Sequence, residues 1–300
     1  MSQILVRYFV NSVLLNGSAI HGVQTATLNQ SSDTTSIIPK GLPNSIKNFY
    51  KKPTVSVSLT KFLSPSVPSI MAGFTLRDKI MTKPTGYTLA VGVLGGGGFT
   101  LTDAVLSSVV FNYTTQGFFT EEVTYTGHLI SGNAGGGSEF AGEEDTVYRR
   151  QHFTVSKPAG IPETVLLSVT ASLNINYGQI PTYGAFLSLQ GKYISFPVDV
   201  SCTYEMLDTG GSISTDNAVS ISYGATGATG SIGATGPIIT NAVKDAITDR
   251  AISISGPPTI NLGSKNFLSS IDRSGGDAGQ SNYSTVKYTF KNNDNSFTVS

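Results

Sequence analysis

The chain has 300 residues, enough for two domains that each bury a core of their own. Only 13% of them are charged, and 19 Lys plus Arg balance 19 Asp plus Glu, so there is no basic excess of the kind that wraps nucleic acid. The lone Cys202 excludes an intramolecular disulfide, no apolar window approaches the 18 residues of a membrane span, and Met1-Ser2-Gln3-Ile4 lacks the basic start of a signal peptide. Ser, Thr, Asn and Gly take the place of charge. Such a surface is polar but poorly defended against association, which suits a chain covered by its neighbours.

In chain order, the pattern is that of β-strands. Alternation predicts strands around Val23 to Asn29, Val55 to Thr60, Val105 to Tyr113 and Val123 to Tyr125. The glycine runs 95–98 and 135–137 read as loops, and the acidic group Glu139, Glu143, Glu144, Asp145 as a solvated linker. Two longer strands follow, Thr164 to Tyr177 and Val198 to Leu207. In the first, Val165, Leu167, Val169, Ala171, Leu173 and Ile175 alternate with mostly polar residues. In the second, Val198, Val200, Cys202, Tyr204 and Met206 alternate with Asp199, Ser201, Thr203 and Glu205. Cys202 therefore reads as a buried strand residue. Pro53 and Pro197 stand just before strands, where a missing N–H does little harm. Gly224 to Pro237 keeps glycine at every third position. It is too short and too poor in imino acids for a triple helix, and reads as an exposed loop. One helix is predicted, from Asn241 to Asp249, capped by Thr240 or Asn241.

The chain also repeats itself. Thr25-Ala26-Thr27-Leu28-Asn29, Val55 to Thr60, Leu106-Ser107-Ser108-Val109 and Val123-Thr124-Tyr125-Thr126 return in order. Their counterparts are Thr170-Ala171-Ser172-Leu173-Asn174, Val198 to Thr203, Leu268-Ser269-Ser270-Ile271 and Val286-Lys287-Tyr288-Thr289. The offsets are about 145, 143, 162 and 163 residues, with one slip that an insertion near 208–237 explains. The reading is a duplicated β module, 1–156 and 157–300, and duplicated β modules are usually structural or binding units.

Little in the sequence suggests catalysis. His21, His128 and His152 have no second ligand at metal spacing, no G-x-S-x-G elbow or phosphate loop is present, and the acidic group lacks the pattern of a calcium loop. The expectation is no enzyme, no cofactor and no metal.

Several segments together resemble the bacteriophage tail tube proteins. They are Ile20-His21-Gly22-Val23-Gln24, the run from Phe111 to Thr124 with Gly117-Phe118-Phe119-Thr120-Glu121-Glu122 at its centre, Gly191 to Cys202, Asn261 to Asn266, and Gly275 to Gly279. The resemblance touches about two thirds of the chain and rests on strand and turn patterns. It implies a mainly β fold of two tandem β-sandwich modules with a short helix. On oligomerisation their sheets would join into an inner β-barrel, closing edges that would otherwise pair at random.

The implied function is that of a virion tail subunit, assembled in the host cytoplasm, whose stacked rings form a hollow tube for DNA. Its partners would be copies of itself, other tail proteins and passing DNA held without sequence specificity. Three chains with pseudo-six-fold symmetry or six chains per ring both remain open. The implied lumen residues are Ser168, Thr170, Ser172, Asn174, Asp199, Ser201, Thr203 and Glu205, a wall whose hydroxyls and carboxylates would not hold phosphates. The long connections Asn29 to Pro53 and Asn174 to Pro197 would contact the next ring, with Ile38, Phe49, Tyr50, Tyr183 and Tyr193 as candidates. The alternatives are a receptor- or carbohydrate-binding β-sandwich protein of a fibre or baseplate, and the inner tube of a contractile injection system.

Overall fold

The structure, a computed structural model, describes residues 5–7, 13–31, 34–37, 47–50, 54–64, 69–81, 86–92, 98–115, 117–127, 129–132, 144–146, 148, 154–155, 157–179, 192–208, 221–223, 237–239, 249–256, 258–274 and 284–300. It is mainly β and antiparallel. The first half contains β1 (Leu5–Arg7), β2 (Val13–Leu15), β3 (Ser18–Ile20), β4 (Val23–Ser31), β5 (Thr34–Ile37), β6 (Lys47–Tyr50), β7 (Thr54–Phe62), β8 (Phe74–Thr75), α1 (Leu76–Met81), β9 (Tyr87–Gly92), β10 (Gly98–Thr114), β11 (Thr120–Gly127), β12 (Leu129–Gly132) and β13 (Glu144–Thr146). The second half contains β14 (Thr154–Val155), β15 (Leu166–Gln179), β16 (Lys192–Leu207), β17 (Ile221–Tyr223), β18 (Pro237–Ile239), β19 (Ser253–Ser255), β20 (Ile260–Asn261), β21 (Asn266–Ser274), β22 (Thr285–Asn292) and β23 (Thr298–Val299).

Eight of these strands form one continuous path, β21-β22-β16-β15-β10-β11-β7-β4. Period-two sequences explain it, since each strand puts its apolar positions on one face and its hydroxyls on the other. Val57 and Leu59, Val109 and Phe111, Val169 and Ala171, Val200 and Cys202, and Tyr288 and Phe290 are all buried on the same side. They belong to one apolar cluster that runs through both halves. Each fully buried Leu or Phe there contributes about 1.5–3 kcal/mol.

Two smaller layers lie on that cluster. The first runs β3-β2-β9-β10-β12 and uses the N-terminal part of β10. The second runs β14-β19-β20-β23-β8. Tyr87 of β9 meets Tyr125 of β11 edge-on at 5.4 Å, and Phe74 of β8 meets Phe297 at 6.4 Å. Edge-to-face pairs of this kind add to the area they bury.

Among the described residues, two acidic side chains lie inside. Glu121 is fully buried opposite Lys61. Its carboxylate accepts bonds from Ser69 Oγ (2.7 Å) and from the backbone N–H groups of Ile70 (2.9 Å) and Met71 (3.0 Å). Glu163 is also buried, and its Oε2 accepts the Tyr288 hydroxyl at 2.6 Å. Lys157 Nζ donates to the carbonyls of Ile161 and Glu163, which fixes the approach to β15.

Several sequence expectations change. The long strands run Leu166–Gln179 and Lys192–Leu207, so the second long connection shrinks to residues 180–191. Pro197 lies within β16 rather than before it. It falls where the β15–β16 register shifts between Asn174 and Asn176, and an irregular position needs no ladder N–H. The first long connection contains a two-stranded pair, β5 with β6. Glu144 and Asp145, expected in a solvated linker, form β13 and pair with β1. The predicted helix falls at 241–248, outside the described residues, and Asp249 is not helical. The helix that is described, α1, follows Thr75 in the first half and was not anticipated. The glycine-triplet run lies outside the described residues apart from Pro237; β17 and β18, on either side of it, pair with each other.

Candidate functional site: the polar face and open edges of the long sheet

The eight lumen candidates form four facing pairs on adjacent strands. Ser168 stands opposite Glu205, Thr170 opposite Thr203, Ser172 opposite Ser201, and Asn174 opposite Asp199. Ser168 Oγ donates to Glu205 Oε2 at 2.8 Å, and the Ser172 and Ser201 hydroxyls are 2.7 Å apart. Thr170 Oγ1 donates to Asn112 Oδ1 of β10 at 3.0 Å. None of the eight is in the core, and Asn174 is exposed. Facing hydroxyl and charge pairs of this kind each contribute about 0.2–1 kcal/mol to a sheet.

The same face continues across both halves. Ser56, Ser58 and Thr60 of β7, Glu122, Thr124 and Thr126 of β11, and Thr289 of β22 all lie on it, partly exposed. The face is not free of cations, as the long strands alone suggested. Lys287 and Lys291 stand on β22, but each is matched by a carboxylate, Glu205 at 3.5 Å and Asp199 at 3.8 Å. Glu122 and Asp272 add further negative charge.

Register irregularities occur at corresponding places in the two halves. The β4–β7 ladder shifts between Val23 and Thr25, and the β15–β16 ladder between Leu166 and Ser168. The β10–β11 ladder shifts between Leu106 and Ser108, and β21–β22 between Leu268 and Ser270. At each of the latter, the extra serine donates across the ladder at 3.0 Å, Ser107 to the Thr124 carbonyl and Ser269 to that of Thr289. The Ser58 and Thr124 hydroxyls lie 2.9 Å apart, and those of Thr203 and Thr289 3.1 Å apart. These features align Thr25 with Ser168, Ser58 with Thr203, Ser108 with Ser270 and Thr124 with Thr289. The sequence match had aligned Thr25 with Thr170, two residues further on. A shift of two leaves every side chain on its own face, so letter matching does not register it.

The strand order repeats in the same sense. Read from β21, the path runs through β22, β16 and β15, then through their first-half counterparts β10, β11, β7 and β4. The central junction pairs Ser108 to Thr114 of β10 with Asn174 to Ser168 of β15. The two outermost strands are therefore the counterparts of the two that meet in the middle. Among the described residues, β4 pairs only with β7, and β21 only with β22, apart from the bridge from Asn266 to Arg250. Leu28, on the free edge of β4, is 36% exposed. Its counterpart Ala171 is fully buried beside Phe111 of β10.

The other candidates are less informative. Ile38 and Tyr183 lie outside the described residues. Phe49 and Tyr50 stand on β6 opposite Thr35 and Thr34, and Tyr193 on β16 opposite Gly178, so these three are on strands rather than loops. Cys202 is wholly buried, and burial pushes its thiol up to about 12. A cleft of about 290 Å³ lies where β10 ends and β15 begins, lined by Tyr113, Phe119, Val155 and Leu166 among others. Among the described residues no group of three His, Cys, Asp or Glu could hold a metal, and no helix is long and apolar enough to cross a membrane. What sequence reasoning missed were the two edges. Their signal was present in the repeat, but only the strand order says which strands end up outermost. No protein-family model matches the chain, and no curated protein matches it significantly.

Proposed function

We propose that the chain is a tail tube subunit, two β modules per chain, that closes head to tail into a ring around a central channel. The observation that carries this reading is the strand order. The β10–β15 junction inside the chain joins two strands whose counterparts, β21 and β4, are the open edges. A second copy can therefore repeat the internal junction between chains. Such an interface is head-to-tail, and it forms a ring where the rotation closes.

The register follows from the internal junction. Ser270 of one chain would face Ser31 of the next, Asp272 would face Asn29, and Ser274 would face Thr27. Leu28 would then be covered as Ala171 is. Both halves share one sheet, which favours three chains per ring over six with their modules in separate layers. Three chains bring roughly 24 strands, and at about 4.8 Å per strand a closed barrel has a backbone diameter near 40 Å. Its inner wall would be the polar face. Bridged lysines and excess carboxylates there offer passing phosphates little positive charge, and counterion release would not hold them. Stacked rings would make the tube, and the virion tail would be its location.

Negative-stain electron microscopy across a concentration series tests the reading. Rings or tubes with a central hole and three-fold end-on views are expected. A second test replaces Asn29 and Asp272 with cysteine in separate chains and oxidises the mixture. Covalent dimers that need both variants support the edge junction. A monomer at every concentration, with no cross-link, would sink the proposal.

A further inference from the structure

The smaller layers carry a second docking site, and it rests on the ring reading above. Two rows of facing residues cross them. In the second half the row is Val155, Ile254, Ile260, Val299 and Phe74. In the first half it is Leu15, Leu89, Leu101 and Ile130, with no strand beyond Ile130 among the described residues. Four strands match in order, β14-β19-β20-β23 against β2-β9-β10-β12, and the first half adds β3 beyond β2. The fifth place in the second-half row is filled by β8, which comes from the first half of the chain.

That difference leaves a mark. Val299, covered by β8, is 1% exposed, whereas its counterpart Ile130 remains partly exposed. Among the described residues, β12 pairs only with β10, and beside Gly132 there is open space. An open edge next to a half-covered apolar residue is a template for strand addition.

The sequence supplies the missing strand. Phe74-Thr75 stands 15 residues before Leu89, and Ile239-Thr240 stands 15 residues before Ile254, the counterpart of Leu89. In each case the pair precedes helical sequence, α1 in one half and the predicted segment from Asn241 in the other. Ile239 is the last residue of β18, which pairs on one side with β17. Its other side pairs with no strand among the described residues and can take a further one.

We propose that β12 is the acceptor for β18 of a second copy of this chain, antiparallel, with Ile239 facing Ile130. The contact repeats between chains what β8 does on β23 within one chain. In a ring of alternating modules, the first-half segment docks onto the second half of its own chain. The second-half segment then docks onto the first half of the next. The paired strands β17 and β18 are thereby assigned to the joint between subunits.

The test uses full-length chains carrying Ile130→Cys or Ile239→Cys, oxidised alone and as a mixture. Facing strand residues lie about 4.5–5.5 Å apart at Cα, within disulfide reach. Cys202 does not interfere because it is buried. A covalent dimer is expected in the mixture and in neither variant alone. A chain carrying both cysteines is expected to give higher covalent oligomers, and a product linked only within the single chain would overturn the proposal. Rings that carry the Asn29–Asp272 cross-link but never the Ile130–Ile239 one would overturn this inference and leave the ring reading standing. Loss of both cross-links would remove the two together.

Discussion

The two halves of the long sheet differ most where they correspond most closely. Lys61 faces Glu121 in the first half; at the corresponding place in the second, Met206 faces Val286. All four are buried. One half thus places two ionisable side chains where the other has an apolar pair, at the corresponding rung and on the same face. Apolar replacements for buried ion pairs are often neutral or stabilising, so strength alone does not account for the charged version. Its geometry does. Glu121 holds the turn at Ser69, Ile70 and Met71, and that turn leads into β8, the strand that crosses to the other half. The pair is a latch for the crossing segment, whereas Met206 and Val286 carry no carboxylate that could hold one.

The largest expected effect comes from breaking the latch on one side. Glu121→Ala leaves the Ile70 N–H without its acceptor and the Met71 N–H with Ser69 Oγ alone, and it removes the carboxylate opposite buried Lys61. A loss of about 3–5 kcal/mol is expected from chemical denaturation. The pH dependence sharpens the test. Burial raises the Glu121 carboxyl above its ordinary value, while the bonds from Ser69, Ile70 and Met71 and the charge of Lys61 pull it down less strongly. The folded chain then holds this proton more tightly than the unfolded one. Stability should rise as pH falls from above the raised folded value to about 4.3, the unfolded value. Measured as wild type minus Glu121→Gln, the slope isolates this group; a flat or opposite slope would mean the carboxylate is stabilised as a charge.

Copying the second half into the first is the next test. The double change Lys61→Met with Glu121→Val is expected to stay within about 2 kcal/mol of wild type, since neither charge is left alone. Hydrogen exchange at Ile70 and Met71 should nonetheless accelerate, because the latch is gone. Unchanged protection there would separate the facing Lys61 and Glu121 from the crossing strand. Tyr288→Phe removes the hydroxyl bond to Glu163 and should cost about 1.5–3 kcal/mol by thermal or denaturant unfolding. The smallest effect is expected at the paired hydroxyls. Ser58→Ala and Thr203→Ser should each change stability by less than about 1 kcal/mol, and a similar response in both would support their equivalence.

Much of the sheet was legible in the sequence because alternation is a local property. The apolar positions from Val169 to Leu173 and from Val198 to Met206 needed no partner to be assigned to one face, and Cys202 fell on it as expected. Strand ends were less legible. Gln179 and Lys192 extend their strands because each finds the other across the ladder, a contact neither local pattern encodes. The two-residue error in aligning the halves has the same origin. Period two conceals a shift of two, and only the irregularities at Val23, Leu106, Leu166 and Leu268 pin the register. Lys61 and Glu121 fell outside the predicted strands Val55 to Thr60 and Val123 to Tyr125, because a charged residue argues against an apolar face until the turn from Ser69 to Met71 supplies its partners.

By itself, then, the sequence determined that the chain is β, that its strands carry one apolar and one hydroxyl-rich face, and that its motifs occur twice. These follow from side-chain periodicity, which acts within each strand. The tertiary structure decided the order of the strands, and with it which two edges stay open, which small layer receives β8 beyond β23 and which, among the described residues, has no strand beyond β12. Those outcomes depend on pairing between segments more than a hundred residues apart, such as β8 with β23, and no local pattern specifies the partner of an edge.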